Sequence, residues 1–150
     1  MNFFLDNCIS IRYAKALRIL QNGQDHNIIH LSEKFDRSSI KDVEWITALA
    51  IEGGWVIVSG DPRITRGKPE RKAWHESGLT AFFLGDGWSS RNFWAQAVDI
   101  VGWWPKIVQT AKESIEGNGY LIPVKSKEFK RIYHDEKILR STTQYIAPLR

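Results

Sequence analysis

Three aspartates in this 150-residue chain have the type and placement for metal chemistry. Asp6 ends the apolar run Phe3-Phe4-Leu5. Asp61 follows the run WVIVS (55–59) and Gly60, and Asp42 opens the stretch DVEWITALAIE. Asp is depleted from strands and common in turns and helix starts, so each acid alone reads as a turn or cap residue. Taken together they imply more. Carboxylates held close repel one another, and a divalent cation removes that cost. Mg²⁺ and Mn²⁺ prefer oxygen ligands and retain several waters, so a few acids suffice to hold one. A cation held this way can activate water and neutralise the charge of a phosphodiester transition state.

Glu44 competes with Asp42 for the place of third ligand. Asp42 precedes Ile46 by four residues and shares its helical stripe, whereas Glu44 lies toward the opposite face. A first-turn side chain can reach around, so Glu44 stays in the set. Behind Asp61, the stretch PRITRGKPERK carries Arg63, Arg66, Lys68, Arg71 and Lys72 against one acid, Glu70. A second cluster holds Lys125, Lys127, Lys130 and Arg131, and the net charge is +4. Such patches favour a polyanion. Arg63, Arg66 and Lys68 follow Asp61 closely and are the residues placed to hold RNA phosphates.

Other chemistries find less support. His26, His30, His75 and His134 lack zinc-ligand spacing, and the single cysteine, Cys8, excludes an intrachain disulfide and a Cys-rich zinc site. One cysteine suits a reducing cytoplasm. GDGWSS (85–90) is not a phosphate-cradling loop, and its Asp86 is a reserve acid. Trp88, Trp94, Trp103 and Trp104 read mainly as core, although an exposed one beside a basic patch could stack bases. No run approaches the ~20 apolar residues of a membrane span, and the start lacks the basic region of a secretory signal.

The elements that must position these acids alternate. Strands are expected at 2–5, 27–31, 55–59, 79–84 and 119–124. Helices are expected at 10–22 (capped by Ser10, ended by Gly23), 39–52 (a Ser39/Asp42 capping box), 69–77 and about 90–116. Pro105 should kink or break the last helix, and Pro123 suggests an edge strand. This β-α alternation predicts an α/β fold, a parallel β-sheet with helices on both faces. Sites in such sheets form beyond the carboxyl ends of the strands, where Asp6 and Asp61 fall.

The pattern LDN followed by DVEWITALAIEGGWVIVSGDPRI resembles the PIN-like ribonucleases, specifically the VapC-type toxins. The resemblance covers residues 2–64 closely and extends more loosely to about 124. It implies a PIN-like α/β/α domain over 1–124, with 125–150 as a basic C-terminal extension. It also implies Mg or Mn bound by clustered acids, endoribonuclease activity, and a cognate antitoxin protein. Asp6 matches the first-strand acid, Asp61 the acid of the [ST]-x-Asp motif, and Asp42 the acid opening the central helix. Larger PIN domains carry a further acid before that helix, where this chain has only Glu33 or Asp36. The leading expectation is a Mg- or Mn-dependent ribonuclease of a toxin–antitoxin pair, acting on RNA in the cytoplasm. The alternatives are a non-catalytic RNA-binding or regulatory PIN-like module and, less favoured, a phospho-acceptor domain. An edge strand and surplus aromatics are compatible with a homodimer.

Overall fold

A computed structural model describes residues 1–22, 26–37 and 39–132. Its strands are β1 (Asn2–Leu5), β2 (Asn27–His30), β3 (Trp55–Ser59), β4 (Ala81–Leu84), β5 (Gly119–Ile122) and β6 (Lys130–Ile132). They form one sheet in the order β2-β1-β3-β4-β5-β6, parallel except for the antiparallel β5–β6 pair. All five residues of β3 are buried, as a continuous apolar run between two helical layers requires.

The strand period of two divides the core cleanly. Phe3, Leu5, Val56 and Val58 face one layer, made by α1 (Ile11–Leu20) and α6 (Phe93–Glu113). Phe4, Ile57 and Phe83 face the other, made by α3 (Asp42–Glu52) and α5 (Lys68–Ser77). Two single-turn helices complete the set, α2 (Leu31–Lys34) and α4 (Arg63–Arg66). Helices therefore cover both faces, as expected. Among the described residues, no helix is long and apolar enough to cross a membrane.

Four local expectations are corrected. The central helix starts at Asp42 and not at Ser39. Lys41 is its cap residue, and the Glu44 carboxylate accepts the Lys41 N–H at 3.4 Å. Leu31 opens α2 instead of ending β2. Helix α6 runs through Pro105, because Ile100, Trp104, Ile107 and Val108 bury one stripe around it while Pro105 itself is exposed. On that side water can take the carbonyl the ring leaves unbonded, and the packing offsets a loss of roughly 3 kcal/mol. Pro123 lies beyond β5, which is paired on both sides, so β5 is not an edge strand. Gly23 and His134 lie outside the described residues.

Candidate active site at the β1–β3 rim

The strand order reverses between β1 and β3: the chain goes from β1 outward to β2, then back across to β3 and onward. At this switch point the two strand ends splay their connections to opposite sides and leave a crevice. Asp6 and Asp61 occupy it, one behind each strand, and the Asp6 N–H still bonds the Val58 carbonyl at 3.2 Å. The N-terminus of α3 brings Asp42 to the same place. A cavity of about 620 Å³ is lined by Asp6, Asn7, Asp42, Asp61 and Arg63, among others.

Asp6 is 2% exposed and fully engaged. Its Oδ1 accepts the N–H groups of Cys8 (3.1 Å) and Gly60 (3.2 Å), and its Oδ2 accepts the Ser59 hydroxyl. Ser59 Oγ in turn accepts the Asp61 N–H at 3.0 Å, so one hydroxyl links the two strand-end acids. Burial pushes the Asp6 carboxyl up to about 6 despite these donors, with nearby Asp42 adding to the rise. The Cys8 thiol is pushed up to about 12, first by burial and then by Asp6, so it is no nucleophile at neutral pH.

Asp42 and Asp61 form a second unit. Their carboxyl groups lie within hydrogen-bond reach of each other, and burial followed by this neighbour raises Asp42 to about 6. Burial acts to raise Asp61 too, but the Arg63 side chain and backbone N–H prevail and hold it below the usual range. Asp61 accepts the Arg63 N–H at 2.9 Å and its guanidinium at 2.7–3.1 Å. Of the two, Asp42 is therefore the one that takes a proton first as pH falls, and its Oδ1 also accepts the Trp45 indole N–H at 3.0 Å.

The remaining residues divide. Glu44 points away from the cavity to Arg37 at 3.1 Å, Glu33 pairs with Arg18, and Asp86 meets Arg66 at 3.1 Å on the surface. Lys68 is exposed, and Arg63 turns inward to the acids. His30 is structural, its Nε2 bonded to the Ile9 carbonyl oxygen at 2.7 Å. Trp88 and Trp104 are core, while Trp94 is 77% exposed. Sequence reasoning placed Ser59 only as a motif letter and missed its bridging role. The motif's hydroxyl, two residues before Asp61, was the available sign.

Gly60 keeps the strand ends close. A Cβ there would stand 2.8 Å from the Cys8 Cβ, which is fixed to its backbone. Gly60→Ala must therefore push the β1 and β3 connections apart and displace Asp6 from Asp61. Misplacement of about 1 Å costs on the order of 10²-fold in rate. Any chemistry that needs both acids in register should fall by that order in the folded Gly60→Ala variant, measured against the wild type.

Comparison with known proteins decides the family. The family described as "PIN like domain" matches residues 1–86, which include all three acids. The chain belongs to the PIN-like domain family. No curated protein and no solved structure matches it. PIN domains are generally nucleases and typically use divalent metals. Among the described residues of this PIN-like domain, no three Asp, Glu, His or Cys side chains are arranged to hold a metal ion. Asp6 is engaged by three donors from the strand ends, and the Arg63 guanidinium sits on Asp61. The Asp42–Asp61 pair nevertheless has the chemistry a divalent cation needs, two adjacent carboxylates lining an open cavity.

Proposed function

We propose that this PIN-like domain is a Mg- or Mn-dependent endoribonuclease, the toxin of a toxin–antitoxin pair in a reducing cytoplasm. The observation that carries this reading is the convergence of Asp6, Asp42 and Asp61 on one cavity at the sheet's switch point. Asp42 and Asp61 would hold the cation, and Asp6 would add its charge from the strand end. When bound, the cation supplies a Lewis acid for water attack on a phosphodiester.

The chain's own groups do the rest. Arg66 and Lys68, exposed just past Asp61, bind the RNA backbone. Asp42 must release its proton before a cation is held, so cleavage should fall as pH drops through about 6. The cavity mouth beside these cations is the surface an antitoxin would have to cover.

The test is cleavage of single-stranded RNA with Mn²⁺. The wild type should cleave and a folded Asp6→Asn/Asp61→Asn variant should not. Full activity in that variant refutes the assignment. Arg66→Ala and Lys68→Ala should each weaken RNA binding and lower the salt slope by about 1. The alternative, a non-catalytic RNA-binding or regulatory module, draws support from the lack of a pre-assembled three-ligand site among the described residues. It predicts salt-dependent binding without cleavage under any divalent metal.

A further inference from the structure

Arg63 is an unusual occupant of a cation-binding rim. Its Nη2 lies 2.7 Å from Asp61 Oδ2 and 3.8 Å from Asp42 Oδ2, so one guanidinium supplies positive charge to both acids. A divalent cation held by the same two carboxylates would need that position. The acids are fixed: Asp61 is 5% exposed, and Asp42 is tied to Trp45. Arg63 is not, with 72% of its side chain in solvent. Asp61 also keeps the Arg63 backbone N–H at 2.9 Å whichever way the side chain turns, so the loop keeps that bond when the guanidinium leaves.

We propose that Arg63 is an internal counter-ion exchanged for the divalent cation. It seats on Asp42 and Asp61 in the metal-free protein and swings out into solvent when the metal enters. The proposal rests on the metal-dependent reading above and adds the regulation of that site. Two cations over one pair of carboxylates repel strongly at a few ångströms. An ion pair made by a largely exposed side chain contributes little, so leaving costs little. Outside, an RNA phosphate offers the guanidinium a bidentate partner. Metal and RNA both favour the outward Arg63, so each must tighten binding of the other.

Mn²⁺ binding, read from the EPR signal of the free ion, tests this on the wild type, Arg63→Ala, Arg63→Met and Arg63→Lys. Ala and Met, the latter keeping the stem, should bind about tenfold tighter than the wild type. Lys, which keeps the charge, should stay near the wild type. Asp61→Asn should remove binding in every background. In a Mg²⁺ titration of the wild type, the Arg63 Nε–H NMR signal should lose its exchange protection. Neutral variants that bind Mn²⁺ no tighter than the wild type overturn the exchange but leave the metal site standing. A Lys variant as tight as Ala overturns it equally. Absence of Mn²⁺ binding by all four proteins at millimolar concentration overturns both this proposal and the metal-dependent reading.

Discussion

Asp6→Asn is expected to yield a protein more stable than the wild type at pH 7 and about 10–100-fold slower in the metal-dependent RNA cleavage proposed above. Both effects come from one buried charge. Asp6 titrates at about 6 in the folded chain, against an ordinary value of 3.8, because burial penalises its ionised form. Between those values the folded state holds a proton that the unfolded state has released. Stability from this group is therefore full below about pH 4, falls as pH rises to about 6, and stays at the lower level above. The difference is about 3 kcal/mol. Asn carries no charge to desolvate. Its Oδ1 can keep the Cys8 and Gly60 N–H groups, and its amide can donate to Ser59 Oγ, although the buried Ser59 O–H then loses the Asp6 acceptor, which offsets part of the gain. We expect a gain of about 1–2 kcal/mol at pH 7 and a shallower stability profile between pH 4 and 6, where Asp42, also raised to about 6, keeps its own share of the slope, measured by urea unfolding. Asp61 titrates low and contributes in the opposite sense, its stabilisation being lost as pH falls, so only the difference between Asp6→Asn and the wild type isolates Asp6. An Asn variant that is less stable at pH 7 and keeps the wild-type slope refutes this account. Retained cleavage refutes the role of Asp6.

The acids were legible because strand ends announce themselves. Phe3-Phe4-Leu5 and Trp55 to Val58 are apolar without a break, so the next carboxylate must stand at a rim. Asp42 was legible through its spacing from Ile46, although the capping pattern misplaced the helix start at Ser39. Strand order was not legible, because nothing in β1 or β3 states which neighbour each takes, and the switch point depends on that order. The strand β6 is three residues, Lys-Arg-Ile, with no apolar run to betray it. Arg63 read as a phosphate ligand from its type and position. Only side-chain geometry reveals that it closes back on Asp61 two residues earlier. Pro105 shows the converse limit: a local rule worth roughly 3 kcal/mol yields when a buried helical stripe runs through it.

Trp45→Ala should be strongly damaging to the α3 layer, costing about 3–5 kcal/mol. The indole is fully buried, packs on Phe4 with ring centroids 4.9 Å apart, and shares its cluster with Leu49, Ile57 and Ile64. Such a cost is a large share of the 5–15 kcal/mol typical of a domain, so the variant should unfold at a much lower guanidinium midpoint. Trp45→Phe separates packing from chemistry. Phe refills most of the volume at a cost of about 1 kcal/mol, but it has no N–H for Asp42 Oδ1. That N–H favours the ionised carboxylate, so its loss raises the Asp42 carboxyl further and delays proton release. The midpoint of cleavage against pH should then move upward from about 6, while the rate at high pH stays near the wild type. An unmoved midpoint in a folded Trp45→Phe variant means that Asp42 does not gate the reaction. A moved midpoint ties the core aromatic of α3 to the proton that must leave before a cation can bind.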